Sequence, residues 1–222
     1  MDRTDGVPTT AVVFAGGDPV PTRWAAHLPA GALVIAADSG LRNAAAFDRP
    51  PDLVVGDLDS ADPADVEAAV ASGAEVERHP EAKDRTDLEL ALLVALDRGA
   101  RHAIVVGGGG GRVDHFLAGG LLLASPDLAG LEIEAFVGDA RLAVVRTHRG
   151  FAGEPGSLLS LLAVGGPARG VRTRGLRFPL HGETLAPGST RGVSNEMEDD
   201  RAEVSLDAGV ILAVQPDGGS RA

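Results

Sequence analysis

The sequence predicts an α/β fold: a Rossmann-like three-layer domain with a parallel sheet, followed by a small all-β sandwich domain. Between residues 11 and about 137, short β-rich runs alternate with helical patterns, which is typical of a parallel sheet covered on both faces. After about Gly138 the helix periodicity disappears, Gly and Pro become frequent and short alternating segments appear. We therefore expect an α/β domain over residues 1–138 and a β-sandwich domain over residues 139–222.

Nine short segments are predicted to be strands. Those of the first domain are Ala11–Ala15, Ala32–Ala37, Leu53–Val55, Ala74–Arg78, Ala103–Val106 and Glu132–Val137. Those of the second domain are Leu158–Val164, Ala202–Leu206 and Val210–Val214. Their short length and β-rich composition favour strands over helices.

Two helices of the first domain carry start and stop signals. An N-cap at Asp62, a proline at the first helical position and a stop at Gly73 predict a helix over Pro63–Ala71. The next helix should begin after Thr86, which stands with Glu89 at capping-box spacing. Its apolar stripe consists of Leu88, Ala91, Leu92, Ala95 and Leu96.

The composition excludes several classes of function. A formal net charge of -12 argues against nucleic-acid binding, which needs clustered Lys and Arg. The chain has no cysteine, so any metal must be bound by oxygen or His ligands. No apolar run is long enough to span a membrane, and residues 1–10 contain no apolar signal core. We expect a cytoplasmic protein that does not bind membranes.

Two groups of carboxylates are the strongest functional signal. Asp57 and Asp59 follow the apolar run Leu53–Val55, so they should lie at the carboxyl end of a buried strand, where open α/β sheets bind ligands. Asp84 and Asp87 form the second group and flank a predicted helix N-terminus. Carboxylate oxygens are preferred ligands of magnesium, so we predict that these four residues bind Mg2+. The alternatives are an ordinary turn for the first pair and helix capping for the second.

Three further features suggest a bound phosphate. Lys83 is the only lysine among twenty basic residues, and its ammonium suits a phosphate oxygen, with a solvated lysine as the alternative. The run Gly107–Gly111 follows a strand and precedes an apolar helix, so its N–H groups suit a phosphate or form a flexible turn. Arg112 can offer a planar fork to phosphate, and Asp114 can orient it, accept a proton, lie near the metal or cap the helix. His115 is expected to be a packed or capping residue.

Two other strand ends carry an acid beside glycine. They are Asp38-Ser39-Gly40 and Gly16-Gly17-Asp18. Either segment could contact a nucleotide at the carboxyl edge of the sheet, but such glycine-containing segments also form plain turns.

Taken in order, five motifs closely resemble the thiamine pyrophosphokinase (thiamine diphosphokinase) family over residues 11 to about 215. They are Asp38-Ser39-Gly40, Gly56-Asp57-Leu58-Asp59-Ser60, Lys83-Asp84-Arg85-Thr86-Asp87, Gly110-Gly111-Arg112-Val113-Asp114-His115 and Val193-Ser194-Asn195-Glu196. The resemblance implies an α/β catalytic domain that binds ATP and Mg2+, a β-sandwich domain that binds thiamine, and a homodimer with active sites between the subunits.

The resemblance also implies roles for individual residues. The ligands of Mg2+ and of the ATP phosphates would be Asp57, Asp59, Asp84 and Asp87. The residues that neutralise charge and complete the catalytic site would be Lys83, Arg112 and Asp114. The nucleotide site would further include Asp38, Thr86, Gly110 and Gly111. The contacts to thiamine would come from Ser194 and Asn195.

The implied reaction transfers the diphosphoryl group of ATP to the hydroxyl group of thiamine, giving thiamine diphosphate and AMP. Magnesium and cationic side chains would disperse charge on the transferred group while the alcohol attacks in line. Either Asp84 or Asp87 would take the hydroxyl proton. Two alternatives stay open: a diphosphokinase for another alcohol, such as a hydroxymethyl pterin, or a non-catalytic nucleotide-binding regulator of the same fold.

The chain departs from the family pattern in two places. Ser39-Gly40-Leu41-Arg42 stands where the family often has Gly-Gly-Ala-Asn, so Asn43 cannot simply inherit the role of that Asn. The β domain contains no Trp or Tyr, which leaves Phe178 as the aromatic surface for a cationic thiamine ring. Packing of Phe178 in the β core is an equally good interpretation.

Overall fold

The computed structural model describes residues 9–80 and 84–220. The chain divides into two compact units. Unit 1 runs to Gly119 and includes Asp127–Gly138, and unit 2 comprises Gly120–Pro126 and the chain from Asp139 onward. None of the helices in the described ranges combines the length and the apolar character needed to cross a membrane.

The described residues of unit 1 form six parallel strands. They are β1 (Thr10–Phe14), β2 (Leu33–Ala37), β3 (Leu53–Gly56), β4 (Glu75–Arg78), β5 (His102–Val106) and β6 (Glu132–Val137). They lie in the order β6-β5-β1-β2-β3-β4, and every neighbouring pair is parallel. Each of the six predicted strands is present with its ends within one residue, and the predicted α/β fold class is confirmed.

The helices of the described chain are α1 (Leu41–Ala46), α2 (Pro63–Ala71), α3 (Asp87–Asp97) and α4 (Val113–Leu122), with 3-10 helices at Thr22–His27, Asp38–Gly40 and Pro126–Leu128. Two of them, α2 and α3, begin where the cap signals predict. The side chain of Asp62 accepts a hydrogen bond from the N–H of Ala64 at 2.9 Å, and Thr86 Oγ1 accepts one from the N–H of Glu89 at 3.3 Å. Both bonds satisfy N–H groups that a helix start leaves unpaired.

The core of unit 1 is built on strands that are buried along their length. Ala11–Phe14 have no exposed surface. Trp24 stacks on Phe136 with ring centroids 4.4 Å apart and donates its Nε1–H to the carbonyl oxygen of Gly138 at 3.0 Å. A buried indole needs such a partner, and this one ties the 3-10 helix after β1 to the end of β6.

The described residues of unit 2 form a sandwich of two antiparallel layers, and each layer contains four strands of this unit. Its strands are β7 (Ala140–Val145), β8 (His148–Ala152), β9 (Leu158–Ala163), β10 (Ala168–Arg174), β11 (His181–Leu185), β12 (Asn195–Glu196), β13 (Arg201–Ser205) and β14 (Ile211–Gln215). One layer has the order β12-β9-β14-β7 and the other β11-β10-β13-β8. Both layers contribute inward-facing residues to one core, including Leu161, Val171 and Val204. The predicted all-β sandwich is confirmed.

Gly40 provides a test of how tightly β1 and the 3-10 helix after β2 are packed. A Cβ at residue 40 would overlap the carbonyl oxygen of Phe14, whereas a Cβ at Gly31 would meet nothing within 4 Å. We expect Gly40→Ala to lower the free energy of unfolding by about 1–3 kcal/mol. Urea unfolding followed by the fluorescence of Trp24, the single tryptophan, measures the change. Gly31→Ala is the matched control, and equal stability of the two variants would contradict the close packing.

Candidate active site

A cavity of about 550 Å³ lies in unit 1 at the carboxyl ends of the parallel strands. Six segments of the described chain line it: the loops after β1, β2, β3 and β5, the start of α3, and helix α4. The lining residues that carry polar side chains are Asp18, Asp38, Ser39, Asp57, Asp59, Ser60, Thr86, Asp87, Arg112 and His115. The position agrees with the rule that open α/β sheets bind ligands beyond the carboxyl ends of their strands.

Three carboxylates converge on one side of this cavity. Asp38, Asp57 and Asp59 can each place one carboxylate oxygen within 4.8 Å of the others. Asp87 is close as well, since a Cβ at Gly56 would lie 2.9 Å from Asp87 Oδ1 and 3.2 Å from the Cβ of Asp38. Gly56 also has a φ of 148°, which disfavours other residues. The glycine before the acidic pair therefore allows the carboxylates from β2, β3 and α3 to approach.

Asp38 is the most buried carboxylate of this cluster. It is 7% exposed, its backbone φ is 47°, and its Oδ1 has no hydrogen-bond partner among the described residues. Burial raises the pKa of its carboxyl group, and the charges of Asp87 and Asp57 raise it further against a hydrogen bond from the backbone of Ser39. A buried carboxylate that lacks a partner is unfavourable unless a cation compensates it.

The residues present fit a hard divalent cation. The donors are carboxylate oxygens, which Mg2+ prefers, and one of the carboxylates is that of Asp38, whose Oδ1 is buried and has no hydrogen-bond partner among the described residues. Leu58, between the two acids, has a φ of 66°, and the N–H of Asp59 donates to Asp57 Oδ1 at 3.3 Å. The first acidic pair is thus a turn, as the alternative proposed, and a turn that brings two carboxylates together.

The second acidic group is divided by the structure. Thr86 and Asp87 line the cavity, and Thr86 also caps α3. Asp84 is exposed and does not line the cavity, so its predicted part in metal binding stays a prediction. Lys83 lies outside the described residues, so its predicted phosphate contact stays a prediction.

The glycine-rich segment after β5 is tied to the loop after β1 by backbone hydrogen bonds. The N–H of Gly108 donates to Gly16 O at 2.7 Å, and the N–H of Asp18 donates to Gly109 O at 2.8 Å. Gly110 has a φ of 80°, and a Cβ there would overlap the carboxylate of Asp18. The glycines are therefore required by conformation and by close packing.

Arg112 enters the cavity wall with Asp114 as its partner. Arg112 Nη2 donates to Asp114 Oδ2 at 2.6 Å, and Nε donates to Oδ1 at 3.3 Å. These bonds lower the pKa of the Asp114 carboxyl group. Asp114 does not line the cavity, so among its proposed roles the geometry favours orienting the guanidinium. His115 lines the cavity and is exposed rather than packed.

The sequence did not assign Asp38 to the metal group, and it did not place Ser60 in the site. Asp38 directly follows β2, which is the neighbour of β3 in the sheet, so the missing information was the strand order. Asn43 is buried and donates its Nδ2–H to Ala15 O at 2.8 Å, which gives it a structural role in α1.

The predicted thiamine contacts lie in unit 2. Ser194 is exposed with a φ of 56°, and its N–H donates to Ser160 Oγ at 3.0 Å. Asn195 is buried and bonded to the backbone of Phe178. Phe178 itself is 52% exposed, so its interpretation as a β-core residue is wrong.

The fold and the cavity define an α/β protein with a carboxylate site at the carboxyl edge of its sheet and a separate β-sandwich unit. Residues 26–134 match the thiamin pyrophosphokinase catalytic domain, and residues 146–211 match the thiamin pyrophosphokinase vitamin B1 binding domain. The chain belongs to the thiamin pyrophosphokinase family. Comparison with curated proteins gives no significant match.

Solved structures with the same fold include bacterial and fungal proteins. Thiamine pyrophosphokinase from Bacillus subtilis is 24% identical, with 93% of this chain and 98% of that chain covered and a TM-score of 0.80. A thiamin pyrophosphokinase family protein from Enterococcus faecalis is 28% identical, with 93% and 97% covered and a TM-score of 0.77. Yeast thiamin pyrophosphokinase is 14% identical, with 96% and 87% covered and a TM-score of 0.72.

The raised pKa of Asp38 predicts how the stability of the metal-free chain depends on pH. The folded chain holds this proton to higher pH than the unfolded chain, whose Asp pKa is about 3.9. Stability therefore falls as pH rises from that value through the raised folded pKa, and it stays lowered above it. We expect Asp38→Asn to be more stable than the unaltered chain at neutral pH in EDTA.

Urea unfolding across this pH range measures the effect. Asp84→Asn is the control, because Asp84 is exposed and lies outside the cluster. If Asp38→Asn and the unaltered chain lost stability equally with rising pH, the buried carboxylate of Asp38 would not be the cause of that loss of stability.

Proposed function

We propose that this thiamine diphosphokinase carries out its reaction in the cavity of unit 1, with Mg2+ held by Asp38, Asp57 and Asp59. The observation that carries the proposal is the buried carboxylate of Asp38, which lies beside two further acids. Its Oδ1 has no hydrogen-bond partner among the described residues. The family supplies the substrates, ATP and thiamine. The match over residues 146–211 to a vitamin B1 binding domain favours thiamine over a pterin alcohol as acceptor.

The reaction moves a diphosphoryl group between two oxygen atoms. The hydroxyl oxygen of thiamine forms a bond to the β-phosphorus of ATP, the bond from that phosphorus to the α,β-bridging oxygen breaks, and AMP leaves with the electron pair. Bound Mg2+ would neutralise charge on the phosphate oxygens. Asp38, Asp57 and Asp59 would hold that cation, and Arg112 would bind a phosphate oxygen from the cavity wall.

We propose that the carboxylate of Asp87 accepts the proton of the thiamine hydroxyl. Of the two residues considered for this role, Asp87 lines the cavity and Asp84 does not. A general base must lie within reach of the proton it takes, and only a residue of the cavity wall meets this condition.

The glycine-rich segment and the thiamine loop complete the proposal. Gly110 and Gly111 line the cavity without side chains, which allows a nucleotide to approach the backbone closely. Thr86 lines the cavity beside Asp87, and Lys83 would supply a further cation to the phosphates. In unit 2, Ser194 and the exposed ring of Phe178 would contact thiamine.

A homodimer is the assembly that we propose for the chain. Helix α4 contains no buried residue, yet it carries a stripe of large apolar side chains that are between 42% and 69% exposed. They are Val113, Phe116, Leu117 and Leu121. An apolar helix face of this kind is typical of a protein contact, and His115 of the same helix lines the cavity, which supports a site beside the partner subunit. The cytoplasmic location expected from the sequence stays a prediction.

Asp57→Ala tests the proposed metal site. We expect the variant to fold normally and to lose about 100-fold or more in kcat, because one ligand of the cation that neutralises the phosphates is removed. AMP release from ATP with Mg2+, with and without thiamine, is measured together with thiamine diphosphate by mass spectrometry.

Asp84→Ala is the matched comparison, since it removes an acid of the second motif that is exposed and outside the cavity. It should retain kcat within about tenfold. Near-normal turnover in Asp57→Ala would remove Asp57 from the metal site, and an equal loss in both variants would return Asp84 to it.

Leu117→Glu tests the proposed dimer contact. A charge placed in an apolar interface loses its hydration, so we expect the dissociation constant of the dimer to increase by about tenfold or more. Sedimentation equilibrium over a concentration series measures the dimer. Val70→Glu is the control, because Val70 is a similarly exposed apolar residue on α2. If Leu117→Glu and Val70→Glu associated like the unaltered chain, α4 would not form the contact.

A further inference from the structure

Asn195 lies buried in unit 2 and uses its side chain on the backbone of an exposed residue. Its Oδ1 accepts hydrogen bonds from the N–H of Phe178 and from the N–H of Glu196, both at 3.0 Å. Its Nδ2 donates to the carbonyl oxygen of Phe178 at 2.7 Å. Asn195 is 4% exposed, whereas Phe178 is half exposed. A buried amide therefore fixes both backbone polar groups of a residue whose ring is open to solvent.

The acceptor capacity of this amide is fully used. An amide oxygen has two lone pairs, and both are taken by backbone N–H groups of the chain itself. Asn195 thus has no acceptor to offer to an amino group of a ligand. Within the described residues only one of the two N–H groups of Nδ2 is used, so the direct thiamine contact expected of Asn195 from the resemblance stays a prediction that the second N–H could serve.

The guanidinium of Arg177 lies over the same ring, and Glu196 holds that guanidinium in place. The guanidinium carbon of Arg177 lies 5.5 Å from the centroid of the Phe178 ring, and its Nη1 donates to Glu196 Oε2 at 2.7 Å. The N–H of Arg177 also donates to Glu196 O at 2.9 Å. The two residues of β12 therefore hold Phe178 by its backbone and by a cation stacked on its ring.

An exposed aromatic ring that is fixed in this way contributes little to the core of unit 2. About half of Phe178 is left in water, while the Asn195 amide that holds its backbone is buried. Such an arrangement prepares a binding surface, because ordering the ring before the ligand arrives lowers the entropy lost on binding.

We propose that Asn195 is a positioning residue for the acceptor substrate, which acts by fixing the Phe178 ring as the surface for a cationic heteroaromatic group. The inference rests on the proposed function, since the ligand is the thiamine of that reaction. Asn195 contributes to the KM for thiamine through Phe178 alone.

A double-mutant cycle tests this role. Phe178→Ala should raise the KM for thiamine about tenfold, and Asn195→Ala about three- to tenfold, with kcat and the KM for ATP within about twofold. Asn195→Ala should add no further rise in the Phe178→Ala background, because its effect passes through the ring. Effects of the two changes that multiply would overturn the proposal.

Two further variants separate positioning from general loosening of the loop. Asn195→Asp keeps the acceptors for the N–H groups but cannot donate to Phe178 O, so an intermediate KM is expected. Thr173→Val removes another buried anchor of the same loop, the Oγ1 that accepts from the N–H of Leu180 at 2.8 Å, and should leave the KM unchanged. An equal rise in Thr173→Val would overturn the proposal. AMP release by the unaltered chain that does not depend on thiamine would overturn the proposed function as well.

Discussion

Repulsion among clustered carboxylates is the constraint around which the first unit is organised. Asp38, Asp57 and Asp59 bring three negative charges to one wall of a cavity, and Asp87 raises the pKa of Asp38 further. Nothing in apolar packing favours such a group, so the sheet must hold it in place. The strands β2 and β3 do this, because they are parallel neighbours whose carboxyl ends meet at the same edge.

The close approach depends on backbone without side chains. Gly56 gives room to Asp87 and Asp38, Gly40 lets the 3-10 helix lie against β1, and Gly110 leaves space for Asp18. Each of these glycines sits where the end of a strand, or the segment that follows it, meets a neighbouring segment. These three glycines therefore allow a polar cavity to form at the end of a tightly packed sheet.

Much of the fold could be predicted from the sequence, since its signals are local. Short segments of sequence determine the strands of unit 1 and the caps at Asp62 and Thr86. The strand ends were predicted within one residue, and both caps lie at the predicted residues. Strands such as His181–Leu185 and Asn195–Glu196 were missed because their sequences are polar and irregular, and pairing across the sheet creates them.

The site was predicted in its residue types but only partly in its geometry. Asp57 and Asp87 could be found because motifs carry them, whereas the place of Asp38 required the strand order. The bonds of Asn195 to Phe178 join residues 17 positions apart, and no local pattern reports them.

Binding of Mn2+, a spectroscopic substitute for Mg2+, tests the central claim most directly. Electron paramagnetic resonance of Mn2+ titrated with the chain should show a bound ion in the unaltered protein, and affinity at least about tenfold lower in Asp57→Asn. Asp65→Asn removes an acid of α2 outside the cluster and should bind as the unaltered chain does. Equal Mn2+ affinity in all three proteins would contradict a metal site at the clustered carboxylates.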